Sequence, residues 1–264
     1  MTRSLKSRLS TWAVWLFLAV VLGFLYLPLF PPAIHSLQGP AVQEGGIWAN
    51  YRAIADDPIL VGGIWNTLLI GVLVALVTPL LSLLIAQALR AWKKPRLILG
   101  LVLLPLFIPG VSMGVATALF FRILGVDPSL LTMAMVQVLW ALPFSTLVIL
   151  TVMANFDDVY LEAAHMLGAN RLQAFFEIEL PQVYQGILGG GIFALILSFN
   201  ETIRTSIVQG GENTVQTYLW SQYQQIGLNP TLFALMTLLI GLTLVLVALM
   251  AVLEMRQARM RRAG

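Results

Sequence analysis

Glu162-Ala163-Ala164, then Gly168, then Ile178, Leu180 and Pro181 punctuate a mostly polar stretch set between long apolar runs. Asp157 and Asp158 place acid ahead of a short helix, where carboxylates offset the positive end of the aligned peptide dipoles. Tyr160, Ala163, Ala164 and Leu167 recur at i, i+3, i+4 and i+7 and so share one helical face. Gly168 is expected to stop that helix, because glycine adopts the left-handed conformation after a helix end without steric cost. Asn170, with Gln173 three residues on, has the pattern of a capping box opening a second helix, striped by Leu172, Phe175 and Phe176. Pro181 is expected to close this helix-turn-helix unit.

The surroundings are those of a membrane protein. Of the 264 residues 59% are hydrophobic and 10% charged, against about 25% charged in soluble domains. The class implied is all-α and polytopic. The chain has no cysteine, which excludes disulfides, thiolate metal sites and a thiol nucleophile. A net charge of +3 does not point to nucleic acid, because the basic residues fall in loops beside apolar runs, where membrane topology accounts for them.

Six spans are expected. The first, residues 11–34, follows Arg3, Lys6 and Arg8; it is too long for a signal-peptide core, and no small-residue cleavage site follows it, so a retained span is expected. A mixed polar loop to about residue 60 should lie outside. The second span, 61–89, carries Asn66, Thr67, Thr78, Ser82 and Gln87, and ends at the basic loop Arg90, Lys93, Lys94, Arg96. The third, 97–124, holds Pro105, Pro109-Gly110 and Gly114 and should be bent or broken, either as a wall of a solute pathway or as a packing kink. The fourth is 130–153, the fifth begins near Pro181, and the sixth covers 230–253. Gly186 and Gly190, four apart, allow close approach of another helix, in this chain or a second subunit.

The expected organisation is therefore a cytoplasmic segment 1–10, a first span with its outer loop at 11–60, a five-span core at 61–254 containing the cytoplasmic loop 155–181, and a basic tail at 255–264. Charge supports the orientation. With both termini and the loop inside, twelve of the fifteen basic residues are cytoplasmic, leaving Arg52, Arg122 and Arg204 outside or near the outer ends.

No reactive constellation is evident. None of Lys6, Lys93 and Lys94 follows a glycine, so the chain holds no phosphate-cradling nucleotide loop. His35 and His165 lack the companions of a metal site, and Ser145 has no neighbouring base to activate it. The polar cluster Asn200, Glu201, Thr202, Arg204 follows the apolar run 192–199. Ionisable groups in or near a span point to function. Yet Asn200 lies about 28 Å beyond Pro181 at 1.5 Å per residue, so it reaches a mid-membrane pathway only if the helix tilts or starts below the membrane. Glu201 and Arg204, at i and i+3, could also neutralise one another. Asn66, Pro109, Gln137, Trp140, Asn200 and Glu201 are the candidate pathway residues. A secondary transporter or channel is the alternative, but it should show intramembrane charge pairs or inverted repeats.

The spacing Glu-Ala-Ala, three residues, Gly, nine residues, Ile, one residue, Leu-Pro resembles the cytoplasmic loop signature of bacterial ABC importer permeases. Its seven fixed positions are met by Glu162, Ala163, Ala164, Gly168, Ile178, Leu180 and Pro181. Further resemblance, to the spermidine/putrescine-type permeases, lies in Asn50-Tyr51-Arg52 ahead of Asp57-Pro58, in Trp65-Asn66-Thr67-Leu68, in Leu197-Ser198-Phe199-Asn200-Glu201, and in Thr217-Tyr218-Leu219-Trp220-Ser221. The chain departs from that subfamily at Asn200, which stands where an acid is common, and at Arg204. The resemblance implies an importer permease fold in a bacterial inner membrane. It also implies a coupling helix, with Leu167 on its face, that docks on a cytoplasmic ATPase dimer binding ATP and Mg. A second permease, homologous or identical, and a periplasmic or extracellular solute-binding protein would complete the assembly. This chain would be non-catalytic, bind no cofactor itself, and carry a polyamine or similar small organic solute.

Overall fold

The computed structural model describes residues 2–92 and 95–263, with the side chains of residues 12–92, 95–245, 248 and 252. Lys93 and Lys94 of the expected basic loop, and the side chains of Arg3, Lys6, Arg8, Arg256, Arg259, Arg261 and Arg262, lie outside the described residues. Regular structure among the described residues is all helical. In chain order come α1 (Thr2–Tyr26), α2 (Phe30–His35), α3 (Pro40–Gly45), α4 (Ala49–Ala55) and α5 (Pro58–Ala91). Then follow α6 (Pro95–Leu103), α7 (Gly110–Ile123), α8 (Leu130–Met153), α9 (Val159–Met166) and α10 (Arg171–Gln173). The last are α11 (Leu180–Phe199), α12 (Ile203–Val208), α13 (Val215–Gln225) and α14 (Pro230–Ala263).

Among the described residues four helices are long and apolar enough to cross a bilayer: Trp12–His35, Pro58–Ala91, Leu130–Met153 and Arg171–Phe199. A fifth crossing results if Pro95–Phe107 and Gly110–Ile123, bent by 106°, are one span. At the place of the sixth, Pro230–Val245 is a shorter apolar helix. Of the six spans expected from sequence, length and composition mark four among the described residues, or five with the bent pair. Helices dominate because lipid supplies no partner for backbone N–H and C=O groups, so each span must satisfy its own.

The bend has a local cause. Leu104–Phe107 tightens into a 3-10 turn, and Ile108 and Pro109 are extended, with ψ of 124° and 138°. A residue before proline is driven out of the helical region, and Pro109 has no N–H to offer a preceding turn. The angle far exceeds an ordinary packing kink, about 20° or a little more.

Contacts divide the chain into two compact units, Met1–Asp57 with Gln222–Gly264, and Pro58–Ser221. In the first, α14 packs on α2 and α4. Asn50 is buried there and donates from Nδ2 to Ser36 O at 2.7 Å and Gln38 O at 2.9 Å, while Tyr51 Oη bonds Ser36 Oγ at 2.8 Å. Two of the residues that carried the resemblance therefore hold a turn.

The second unit is built on the mutual packing of α5, α8 and α11. Its core gathers Ile70 and Val74 of α5, Met133, Ala134, Val136 and Ala141 of α8, and Ala194 of α11. Small residues permit the approach. A Cβ on Gly190 would lie 2.6 Å from Ser145 Oγ, and one on Gly186 would lie 3.0 Å from Val152 Cβ, so the glycine face expected to meet another helix meets α8 of this same chain. Gly191 faces α5, where a Cβ would come within 2.8 Å of Ala75 O. That carbonyl lost its ordinary donor four residues on, since Pro79 has no N–H. The bare glycine backbone covers it.

Gly191→Ala should therefore destabilise the chain by about 1–3 kcal/mol, the usual cost of overpacking a rigid contact. Gly62→Ala, at a helical site with open space around it, should be neutral or gain up to about 1 kcal/mol of helix propensity. Unfolding midpoints in detergent would check both, and equal midpoints for the two variants would contradict the packing described.

Candidate functional site

The loop between α8 and α11 is built by local signals. Asp157 Oδ1 accepts from the Val159 N–H at 3.0 Å, at the first turn of α9. At the other end Gly168 has φ +90°. Its N–H donates to His165 O, and the Ala169 N–H donates to Ala164 O, both at 3.0 Å. These are the two bonds of a Schellman stop. Asn170 and Gln173 form the capping box with both bonds at 2.9 Å.

The next turn differs from expectation. Pro181 does not close the unit; it sits in the first turn of α11, and one helix runs from Arg171 to Phe199. Proline is tolerated there because Ala174–Glu179 is wound as a π-helix, in which the Leu180 N–H bonds Phe175 O, five residues back. The continuous helix starts ten residues before Pro181, so the rise counted from Pro181 understates its length before Asn200.

The face of α9 also differs from the sequence pattern. Ala164 is buried against the π-helical segment, while Tyr160, Ala163 and Leu167 are open. Leu167 and Met166 are each 89% exposed. A helix this short needs one small residue to seat it, which leaves the larger apolar groups outward. Glu162 is exposed, Ile178 and Leu180 are half-buried, and Pro181 is exposed.

Beneath the loop lies a cluster that spacing along the chain could not reveal. Glu179 is 2% exposed. Both its oxygens accept from Arg90 Nη2 at 2.7 Å, and Oε1 also accepts from Gln87 Nε2 at 2.5 Å. Arg90 Nη1 lies 3.5 Å from Asp158 Oδ1.

The candidate pathway residues fall into two groups. Gln137 is buried and donates to Thr205 Oγ1 at 2.9 Å while accepting from Ser198 Oγ at 2.5 Å, joining α8, α11 and α12. Glu201 is 5% exposed and both its oxygens are occupied within the chain: Arg204 Nη1 donates to one at 2.7 Å and the Arg204 N–H to the other at 2.9 Å. The guanidinium carbon stands 3.7 Å from the Trp140 ring centroid. Gly110, at the bend, leaves room for that guanidinium, which a Cβ would meet at 3.4 Å. Asn66 donates to Glu212 Oε2 and Asn213 O, tying α5 to the loop before α13. Asn200 caps α11 through Ile196 O and is exposed, as is Pro109. Among the described residues no group of three or more His, Asp or Glu could hold a metal ion.

An all-helical chain with several long apolar helices, one bent pair among them and a capped polar loop between α8 and α11, has the build of a multi-pass membrane protein. The chain belongs to the binding-protein-dependent transport system inner membrane component family, whose profile matches residues 7–259. It is thus an ABC importer permease subunit and a multi-pass inner-membrane protein. It is similar to the putrescine transport system permease protein PotI of Escherichia coli, 27% identical over 86% of each chain. It is also similar to the spermidine/putrescine transport system permease protein PotC of Haemophilus influenzae, 24% identical over 88% of this chain and 93% of that one. Among solved structures, a chain of a bacterial ABC transporter involved in import of the acidic polysaccharide alginate matches with TM-score 0.70 at 15% identity, covering 94% of this chain and 97% of that one. A chain of the MetNI methionine ABC transporter, in inward-facing conformations, matches with TM-score 0.60 at 21% identity, over 76% of this chain and 95% of that one. These likenesses establish the fold.

Because Glu201 and Arg204 are buried together, Arg204→Met should cost about 3–5 kcal/mol by leaving a buried carboxylate unpaired. Adding Glu201→Gln to it should recover most of that loss. Unfolding midpoints of the two variants in detergent provide the check.

Proposed function

We propose that this chain is the non-catalytic membrane subunit of an ATP-driven importer, and that α9 is its coupling helix. The observation that carries this reading is the outward face of α9, where Met166 and Leu167 stand open beside Glu162 while Ala164 seats the helix on the π-helical segment. Such a face suits a groove on a partner ATPase, whose two copies would bind ATP and Mg beneath a pair of permeases, identical or homologous. An outer binding protein would deliver solute; one matched structure is an alginate ABC transporter in complex with an alginate pentasaccharide-bound periplasmic protein. Both termini and the loop would be cytoplasmic, in line with the distribution of basic residues.

The solute we propose is a polyamine or a similar small organic amine, a reading supported by the names of the curated relatives. Of the candidate residues, we place Pro109, Trp140 and Asn200 on the pathway wall, with Asn66, Gln137 and Glu201 bracing it from behind. Because Arg204 already neutralises Glu201, selection among solutes would rest chiefly on the binding protein.

In membrane vesicles holding the whole complex, ATP-dependent uptake of labelled putrescine or spermidine is expected. Gly168→Asp, which forces a side chain into a left-handed turn, and Leu167→Asp, which puts charge on the docking face, should both reduce uptake to background. Leu167→Asp should also release the ATPase on purification. Normal uptake by a well-expressed Leu167→Asp variant would remove α9 from the coupling role. Uptake of neither amine, with ATPase binding intact, would remove the solute assignment alone.

A further inference from the structure

Arg90 touches both ends of the coupling loop. It closes the last turn of α5, its guanidinium faces Asp158 at the start of α9 and lies 5.9 Å from the Phe156 ring, and it grips Glu179 where the loop runs into α11. We propose that Arg90 and Glu179 form the transmission joint that carries displacement of α9 into α5 and onward to the bent span, acting as positioning residues. The proposal rests on the coupling role of α9 given above.

Three observations support it. First, the two partners of Arg90 are unequal. Glu179 has 3% of its side chain exposed and Asp158 has 69%. A buried carboxylate held through both oxygens by Arg90 Nη2 and through one by the Gln87 amide holds fast, because separating it from its partner strands a charge away from water. An exposed contact at 3.5 Å is weak and exchanges readily with water. Arg90 is thus fixed to one end of the loop and loosely held to the other, as a joint that tolerates α9 movement requires.

Second, the π-helical turn aims Glu179. One extra residue in a turn rotates everything before it by about 100° relative to an unbroken α-helix. That change of phase turns Glu179 inward to α5, while Glu177 of the same segment stays exposed. Third, the neighbouring α5 contact is chiefly apolar: Leu83 and Ala86 pack with Ile149 and Val183, and Ser82 adds one bond to Leu142 O. Apolar surfaces slide with little directional resistance, whereas a charge-assisted hydrogen bond to a buried carboxylate resists separation in one geometry. The next element in the chain, α6, packs on α5 and is the first limb of the pair bent by 106°. Displacement passed to the end of α5 therefore reaches the element whose break borders Trp140 and Arg204.

The test uses the complete complex, reconstituted with its ATPase and binding protein and supplied with putrescine. Arg90→Gln, Glu179→Gln and the double variant are compared for ATPase retained on purification, ATP hydrolysed without solute, and solute taken up per ATP. Retention and basal hydrolysis should match the unaltered protein. Uptake per ATP should fall about tenfold in each single variant, within the range by which residues linking two sites alter their coupling. The double variant should be no worse than the more affected single one, because one joint is lost only once. Additive losses, or unaltered uptake per ATP in either single variant, would overturn the joint. So would loss of the ATPase from all three, which would make the pair a support for docking. If Glu179→Gln does not accumulate, Arg90→Lys decides: it keeps the charge but not the two separate nitrogens that meet Glu179 and Asp158, and normal uptake per ATP would count against the proposal. An unaltered complex that holds no ATPase would sink the coupling reading and this joint with it.

Discussion

A peptide group in lipid has no solvent to bond, so every interruption of a helix in this chain has to be answered by something else nearby. Prolines make the interruptions. Pro79 frees the Ala75 carbonyl, and Gly191 of α11 closes over it. Pro109 ends a limb of the third span, and the chain turns through 106° before α7 starts. Pro181 is answered by one π-helical turn. The first answer is packing alone. The other two re-aim side chains, and the two pairs with a buried carboxylate among the described residues are found at those two places, Glu201–Arg204 beside the bend and Arg90–Glu179 beside the π-turn.

The two ion pairs do different physical work. Glu201 and Arg204 are three residues apart, and the Arg204 guanidinium stands over the Trp140 ring of α8, so the pair fixes the geometry of one short stretch of chain. It ties α12 into the unit and fills space that the bend leaves open. Arg90 and Glu179 lie on two long helices and share no turn, so their bond constrains how α5 and α11 move relative to each other at one end of the three-helix core. Desolvation makes neither pair a large net source of stability against an apolar replacement. What each supplies is a defined geometry that apolar packing does not give.

Features of the loop set by neighbours along the chain were legible in the sequence. Gly168 and the Asn170/Gln173 box depend on hydrogen bonds within five residues, and those bonds formed as the spacing implied. The i,i+3 neutralisation of Glu201 by Arg204 was legible for the same reason. Pro181 was not, because proline punctuates a regular helix, and the remedy through π-winding leaves no mark in residue type. The stripe Tyr160, Ala163, Ala164, Leu167 showed a common face without showing what would cover it, and only Ala164 is covered by this chain. The Arg90–Glu179 pair was hidden for a plainer reason: its members are 89 positions apart, and only the packing of α5 against α11 brings them together.

That separation in sequence bears on how force can cross the molecule. A cap or turn such as Gly168 transmits motion only to its immediate neighbours, since its bonds begin and end within the loop. A contact between distant segments can link motions that the backbone alone would leave independent. Among the described residues Arg90 meets the loop at both Asp158 and Glu179, and it belongs to a helix of 34 residues, which at 1.5 Å per residue is about 51 Å long. A helix longer than the roughly 30 Å apolar thickness of a bilayer, bonded near one end to Glu179 and packed on α8 and α11, joins the loop end of the unit to its core, a link that no contact within the loop supplies.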